Sequence, residues 1–149
     1  VFNSDLRKLL SDKKNKARLK KDKNIFKGRK ILIVEDNEIN IDIISDYLDD
    51  VEIKYDSVRN GLDAYNRIKQ NHSYDCVLMD IKMPVMDGYE ATRKIRALDD
   101  EYVRKLPIIA MTANAFAEDV QLAKNTGMNG HIAKPLDMNK LNDVLENWL

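Results

Sequence analysis

Polar side chains stand at the ends of four apolar runs in this chain. Glu35 and Asp36 follow "ILIV", Asp80 follows "CVLM", Thr112 follows "PIIAM", and Lys134 follows "HIA". A carboxylate at the end of a buried segment is costly without a partner, because an unpaired charge is poorly solvated there. These side chains therefore need a shared partner or a shared task.

An acid cluster of Glu35, Asp36 and Asp80 would favour a hard divalent cation. Neighbouring carboxylates raise one another's pKa unless a cation neutralises them, and an oxygen-only ligand set suits Mg²⁺ or Mn²⁺ better than zinc. Mg²⁺ leaves coordination positions for a phosphoryl oxygen. Lys134 would supply a positive charge to that group, and Thr112 a hydroxyl donor. The set predicts metal-assisted phosphoryl transfer with Asp80 as the nucleophile.

The elements that must position these residues follow from the alternation of apolar runs and helical patterns after Arg29, which is typical of βαβ units. Five strands are predicted, at residues 30–34, 51–58, 75–79, 106–112 and 129–133. The first, third and fourth are almost wholly apolar, as expected of central strands, and the other two suit the edges. We therefore predict an α/β fold with a doubly wound five-stranded parallel sheet in the order 2-1-3-4-5. In that order the first and third strands are neighbours, which brings the three acids together.

Helical periodicity fills the intervals between the strands. Apolar residues recur three or four positions apart within residues 39–48, 62–68, 91–98, 116–123 and 141–148. The chain has no G-x-G-x-x-G segment after the first strand and no P-loop pattern. We therefore expect no nucleotide cradle and no small-molecule cofactor.

Charge divides the chain into two parts. Residues 1–30 contain twelve Lys and Arg but three acids, although the whole chain of 149 residues has 25 of each sign. We predict that residues 1–28 are a basic linker or the tail of a preceding domain, and that residues 29–149 form the main domain. The stretch "LRKLLSDKKNKARLKKDKN" has no aromatic residues interleaved with its charges and shows no nucleic-acid-reading motif beyond charge. We do not expect the main domain to bind nucleic acid.

The lone cysteine, Cys76, lies inside an apolar run, which excludes a disulfide framework and indicates a reducing compartment. No apolar segment approaches the roughly 20 residues that span a bilayer. We therefore expect a cytoplasmic domain. Because the chain begins at Val1 and not at a methionine, we also expect it to be a fragment of a longer parent protein, for which a membrane attachment is left open.

The sequence resembles the receiver domain of two-component response regulators over about residues 29–149. The motifs "VEDN", "MDIKMPVMDG", "MTANA" and "AKPL" occur in the order and at the spacing of that family. The resemblance implies a flavodoxin-like (βα)5 fold. It also implies that Asp80 accepts a phosphoryl group from a phosphohistidine on a sensor histidine kinase or a histidine phosphotransfer protein.

The resemblance also implies a ligand set for the metal. Asp36 and Asp80 would bind Mg²⁺ together with the backbone carbonyl of Lys82. Glu35 would act mostly through a metal-bound water.

Further roles implied by the resemblance concern the phosphoryl group and the switch. Lys134 would pair first with the Asp80 carboxylate and then with phosphoryl oxygens, and Thr112 would move to hydrogen-bond the phosphoryl group. Pro135 would follow a cis peptide bond. His131 stands where the family usually has a Tyr or Phe that moves inward as Thr112 moves. A histidine is smaller and can titrate near neutral pH, so this sequence departs from the family in the residue that couples to Thr112.

"VEDN" and "MTANAF" are similar to receivers of hybrid sensor histidine kinases, and the preceding basic segment agrees with this subtype. The resemblance places the output surface at roughly residues 116–149 and leaves a homodimer open. A receiver of this kind catalyses its own phosphorylation and dephosphorylation, and the parent protein would be a hybrid kinase.

Three alternatives remain open at the level of sequence. An aspartate-nucleophile phosphatase would also use Mg²⁺ and an acyl phosphate, but such enzymes typically carry Asp-x-Asp after the first strand, where this chain has Glu35-Asp36-Asn37. A nucleic-acid-binding protein would act through its basic residues 1–28. A receiver that only binds partners is disfavoured by the intact set of acids.

Overall fold

The predicted sheet is present. The computed structural model describes residues 26–113 and 116–149. Within these residues, five parallel strands form one sheet in the order β2-β1-β3-β4-β5. The strands are β1 (Lys30–Val34), β2 (Lys54–Val58), β3 (Cys76–Asp80), β4 (Ile108–Thr112) and β5 (Gly130–Ala133). The α/β class, the parallel sheet and the strand order are thus confirmed.

Six helices connect or follow the strands in the described residues. They are α1 (Glu38–Asp50), α2 (Gly61–Gln70), α3 (Gly88–Arg96), α4 (Glu101–Lys105), α5 (Ala117–Thr126) and α6 (Met138–Trp148). Five of them coincide with the predicted helical patterns. The helix α4 was not predicted, because a helix of five residues is too short to show a helical period.

The start of β2 differs from the prediction, which began that strand at Val51. The backbone N–H of Val51 donates to the Tyr47 carbonyl as the cap of α1, and Ile53 N–H donates to the Leu48 carbonyl at 2.9 Å. Glu52 between them has a φ of 60°. Val51 and Ile53 are both buried, but they belong to the end of the helix, so their alternation with polar residues imitates a strand.

Strand side chains alternate between two apolar layers, as the pleat of a strand requires. In β1, Leu32 and Val34 face the layer beneath α2, α3, α4 and α5, whereas Ile31 and Ile33 face the layer beneath α1 and α6. Phe26 is fully buried in the second layer, three residues before the predicted start of the domain at Arg29. Fully burying a side chain of this size stabilises the fold by roughly 1.5–3 kcal/mol.

Side-chain caps mark the beginnings of five helices. In five helices an Asn or Asp accepts hydrogen bonds from N–H groups of the first turn, namely Asn37, Asn60, Asp87, Asp100 and Asp137. Such a cap typically contributes about 1 kcal/mol. Two of these caps, at α1 and α3, hold the loops that follow β1 and β3.

Two glycines allow close backbone contacts in the loop after β3. A Cβ at Gly88 would lie 2.2 Å from the Asp80 carbonyl oxygen, and a Cβ at Gly61 would lie 2.6 Å from the Met86 carbonyl oxygen. The Gly88 N–H also donates to the Ile81 carbonyl at 2.8 Å. The loop is thereby pressed against the end of the strand that carries Asp80.

A Gly88→Ala substitution should therefore destabilise the domain by about 2–3 kcal/mol, because the methyl group can be accommodated only if backbone moves. Urea unfolding would measure the loss. Gly28→Ala is a suitable control, since an added Cβ there meets nothing within 4 Å and only the positive φ of 80° is penalised, at about 1 kcal/mol. Equal losses in the two variants would contradict the predicted clash.

A buried tyrosine links β2 to the start of β3. The Tyr74 hydroxyl donates to Asp56 Oδ2 at 2.6 Å, and Lys30 Nζ lies 3.1 Å from the same oxygen. Tyr74, followed by Lys30 and Arg67, lowers the pKa of Asp56 despite partial burial of the carboxyl. An acid with a lowered pKa stabilises the fold above its unfolded-state pKa, and this contribution is lost as the pH falls through the folded-state pKa.

Tyr74→Phe should accordingly cost about 0.5–1 kcal/mol at pH 7, a modest value because a third of the Asp56 side chain is exposed. The difference from wild type should shrink below the ordinary aspartate pKa of 3.8. Unfolding free energies at pH 7 and pH 3 would test this. Tyr65→Phe serves as control, and a loss for Tyr74→Phe that is independent of pH would argue against the linkage.

Candidate functional site

The strand order brings three acids to one point. Val34, the last residue of β1, pairs in register with Met79 of β3, so the residues that follow both positions lie at the same edge of the sheet. Glu35, Asp36 and Asp80 each offer a carboxylate oxygen, and these oxygens lie within 4.8 Å of one another. The sequence-based expectation that these three side chains converge agrees with this geometry.

Lys134 completes the cluster from the loop after β5. Its Nζ lies 2.9 Å from Asp80 Oδ1 and 3.2 Å from Glu35 Oε2. Its backbone N–H donates to the Thr112 carbonyl at 2.7 Å, which ties this loop to the end of β4. The peptide bond between Lys134 and Pro135 is cis, as the resemblance implied. Four strand ends thus meet at one site.

Burial and neighbouring charges together set the pKa values of Glu35 and Lys134 in this cluster. Glu35 is fully buried, and burial, followed by the neighbouring charge of Asp80, raises its pKa to about 7. Burial alone would lower the pKa of Lys134, but its contacts with Asp80 and Glu35 outweigh burial and raise that pKa. The lysine is therefore held in its charged form between two carboxylates.

The donor set fits a divalent cation. Glu35 Oε1 accepts a hydrogen bond from Asn37 N–H at 3.1 Å, whereas the buried Oε2 has only the ion pair with Lys134 and no hydrogen bond of acceptable geometry. Asp36 is exposed at the rim. Three carboxylates against one lysine leave a formal charge of −2 when all are ionised, and hard divalent cations bind all-oxygen sets of this kind.

The acids and the lysine line a cleft of about 530 Å³. Thr112 and Lys82 also line it, so six of the seven residues singled out from the sequence lie together. His131 does not: it is exposed on β5, where it pairs in register with Ala110, and it borders grooves on the two sides of that edge strand.

Four residues that line the cleft lie outside the motifs quoted above and were not predicted, namely Asn40, Tyr89, Asp119 and Leu122. Two of them could have been found from the sequence. Tyr89 directly follows Gly88 of the loop motif, and Asn40 lies three residues after Asn37 on a helix, so both positions are close to predicted site residues. The expected linker at residues 1–28 lies mostly outside the described residues, since only residues 26–28 are described. Across the described ranges, no helix combines the length and the hydrophobicity that a bilayer crossing requires.

Comparison with known proteins agrees with this geometry. A family model described as the response regulator receiver domain matches residues 31–146. Hybrid signal transduction histidine kinase L of Dictyostelium discoideum is 39% identical over 122 residues, which cover 80% of this chain and 7% of that protein. The chain therefore spans only a small part of the length of this relative.

Two solved structures show the same fold. The receiver domain of sensor histidine kinase PA1611 from Pseudomonas aeruginosa, with a magnesium ion coordinated in its active-site cleft, is 40% identical, with a TM-score of 0.73. That match covers 81% of this chain and 97% of the other. The receiver domain of Ssk1 from Saccharomyces cerevisiae, crystallised with the histidine phosphotransfer protein Ypd1, is 29% identical, with a TM-score of 0.74 and coverages of 83% and 90%.

The family model spans most of the chain, and the strand order and the acid cluster at the sheet edge are consistent with it. The chain belongs to the response regulator receiver domain family.

Proposed function

We propose that Asp80 accepts a phosphoryl group from a phosphohistidine and that the resulting acyl phosphate switches the interactions of this domain. The observation that carries the proposal is the ion pair between Lys134 and Asp80 inside a cluster of three carboxylates. A carboxylate that has a fixed cation partner, neighbouring acids and an open cleft is suited to phosphoryl transfer.

Asp36 and Asp80, with the backbone carbonyl of Lys82, are the proposed ligands of Mg²⁺, and Glu35 would act through a bound water. Mn²⁺ has the same preference for oxygen ligands and is included in the proposal. When bound, the cation would supply positive charge to phosphoryl oxygens during transfer. Support comes from the charge balance of the site and from the magnesium reported in the Pseudomonas domain.

The side chains of this chain account for orientation and charge. The Ile81 N–H and the Lys134 Nζ both donate hydrogen bonds to Asp80 Oδ1, each at 2.9 Å. The carboxylate therefore has one fixed orientation before the phosphoryl donor binds. An Asp80 oxygen forms the new O–P bond as the P–N bond to the donor imidazole breaks, and the electron pair of that bond stays on the imidazole. Lys134 then remains beside the phosphoryl oxygens.

Thr112 is the proposed coupling residue. It lies at the end of β4 on the wall of the cleft, four positions before the proposed output surface, which begins at about residue 116 and extends to residue 149. Phosphorylation can shift a conformational equilibrium only as far as the phosphoryl group interacts differently with the two states. A hydroxyl that reaches the phosphoryl group in one state supplies that difference. His131, exposed on the same surface, is the second proposed switch residue.

The parent protein is proposed to be a hybrid sensor histidine kinase that works in a phosphorelay, with a kinase or a histidine phosphotransfer protein as the donor. The names of the Dictyostelium relative and of the Ssk1–Ypd1 complex support this assignment. We also propose that the domain is cytoplasmic, that it can form a homodimer, and that a basic segment ending at residue 28 precedes it. Membership of the receiver family favours it over a phosphatase or a nucleic-acid-binding protein.

The phosphoacceptor assignment predicts that acetyl phosphate with Mg²⁺ adds a single phosphoryl group to the wild-type domain, seen as one mass increment in the intact protein. Asp80→Asn, which keeps the volume of the side chain but removes the nucleophile, should show no adduct, and neither should wild type with a chelator. Beryllofluoride binding would reveal an acceptor whose adduct hydrolyses quickly. An adduct that persists in Asp80→Asn would place the acceptor elsewhere.

The ion pairs of Lys134 predict a metal-dependent effect on stability. Lys134→Met leaves Glu35 and Asp80 without their cation, so unfolding at pH 8 in a chelator should require about 2–3 kcal/mol less free energy than in wild type. Millimolar Mg²⁺ should recover much of this loss. Lys105→Met, which breaks an exposed ion pair with Glu101, should cost less than 1 kcal/mol and should not respond to Mg²⁺.

A further inference from the structure

The basic segment at the start of the chain is a strongly charged feature that the proposed function does not use. Residues 1–25 contain nine Lys and Arg and three Asp, which leaves a net charge of +6. Phe26, the next residue, is fully buried in the apolar layer beneath α1 and α6, and its carbonyl accepts a hydrogen bond from the Arg29 N–H at 3.0 Å. The point at which the segment joins the folded domain is therefore fixed beside these two helices.

The helices α1 and α6 end at the same edge of the sheet as this junction. In a parallel sheet the connecting helices run opposite to the strands, so their carboxyl ends lie near the amino ends of the strands. The N–H of Lys54, the first residue of β2, donates to the Arg29 carbonyl at 3.1 Å. At the end of α6, Trp148 Nε1 lies 3.2 Å from the position of a Cβ added at Gly130, the first residue of β5. The chain therefore enters the folded domain next to both helix ends.

These two helix ends are acidic and lack the cations that the other helices carry. A basic residue stands in the last turn of α2, α3, α4 and α5, but neither α1 nor α6 has one there. Asp49 and Asp50 close α1 instead, and Glu146 stands in the last turn of α6. Negative side chains at these positions face the negative end of the helix dipole. A cation supplied from elsewhere would therefore stabilise both ends.

Exposed carboxylates make one surface of the two helix ends, which we call the acidic face. Its members are Asp46, Asp49, Asp50, Glu52, Asp143 and Glu146. Within residues 26–113 and 116–149, no Lys or Arg forms an ion pair with any of the three aspartates of α1. Ile43 and Val144, both half-buried, add exposed apolar surface to the same two helices.

We infer that residues 1–25 dock onto the acidic face of the same chain. Their nine cations match its six carboxylates, and their four leucines match the apolar surface of Ile43 and Val144. An extended chain spans up to about 3.5 Å per residue, so the segment can reach the whole face from Phe26. Because the segment is tethered at the edge of the face, its local concentration there is on the order of millimolar, and individually weak ion pairs suffice to hold it.

The docked segment leaves the cleft open. The cleft lies at the carboxyl edge of the sheet, whereas the acidic face is formed by the later parts of α1 and α6, towards the amino edge. Docking therefore fixes the direction in which the chain leaves the domain without covering Asp80. Labelling by acetyl phosphate should not change when the contact is removed, so the inference and the proposed function are tested by different measurements.

A nitroxide label inside the segment tests the contact by NMR in the full chain. Asn15→Cys places the label between two lysines, and the native Cys76 is fully buried, so that labelling is selective. We expect strong paramagnetic broadening of backbone amides at the ends of α1 and α6 at low salt. A mixture of nitroxide-labelled chain at natural isotope abundance and isotope-labelled chain without nitroxide shows whether a second copy supplies the contact.

Charge variants separate docking from mere closeness to the attachment point. Asp46→Asn/Asp49→Asn/Asp50→Asn neutralises half of the acidic face. The matched control is Glu90→Gln/Asp99→Asn/Glu101→Gln, which removes three exposed acids from the helices on the other face of the sheet. Broadening at the end of α1 should fall about threefold in the aspartate variant, and equally when salt rises from about 0.05 M to about 0.5 M, because exposed ion pairs are screened. The control should behave like wild type.

A variant of the segment itself completes the test. Lys13→Glu/Lys14→Glu/Lys16→Glu reverses three charges beside the label and changes no residue of the folded domain, so the broadening should fall as in the aspartate variant. Retention of the broadening in this variant would overturn the inference, even if the aspartate variant failed to fold.

Three further results would contradict docking within one chain. Equal broadening in the aspartate variant and its control would show a freely moving tether. Broadening that appears only in the mixed sample would place the contact between two copies. Broadening centred on a surface away from α1 and α6 would place the segment elsewhere on the domain.

Discussion

The compensation of buried negative charge is the constraint on which the rest of this structure depends. Glu35 and Asp80 are buried at the ends of neighbouring strands, and Lys134 reaches both of them from the loop after β5. Without that lysine or a metal, two carboxylates would face each other in a poorly solvated place. The fold tolerates this arrangement because the ammonium group of Lys134 lies within ion-pair distance of both carboxylates.

The parallel sheet makes the arrangement possible. All five strands end at one edge, and the order β2-β1-β3-β4-β5 places the ends of β1 and β3 side by side with β4 and β5 next to them. Helices that begin at Asn and Asp caps leave this edge open as a cleft. Apolar layers on both faces hold the strands in register, so the positions of the charged groups are set by packing far from them.

The loop after β3 shows how rigidity and strain are combined at this edge. Two glycine contacts and the burial of Met86 fix the backbone, and the remaining strain is borne by Val85, which projects into solvent. Strain near a functional site is tolerated when the surrounding contacts determine the backbone. The fixed backbone of this loop holds one wall of the cleft in a defined position beside Asp80.

The sequence by itself determined the fold class, the strand order and the convergence of Glu35, Asp36, Asp80 and Lys134, because apolar periodicity and polar strand ends are local signals. It did not determine where β2 begins, since Val51 and Ile53 are apolar in a helix end as they would be in a strand. Nor did it reveal the short α4, the places of Tyr89 and Asp119 on the cleft wall, or the positive φ of Val85. The start of β2 and the short α4 depend on local hydrogen bonds and on length, which apolar periodicity does not resolve. The cleft wall and the loop around Val85 depend on contacts between segments that are distant in sequence, so only the tertiary structure decided them.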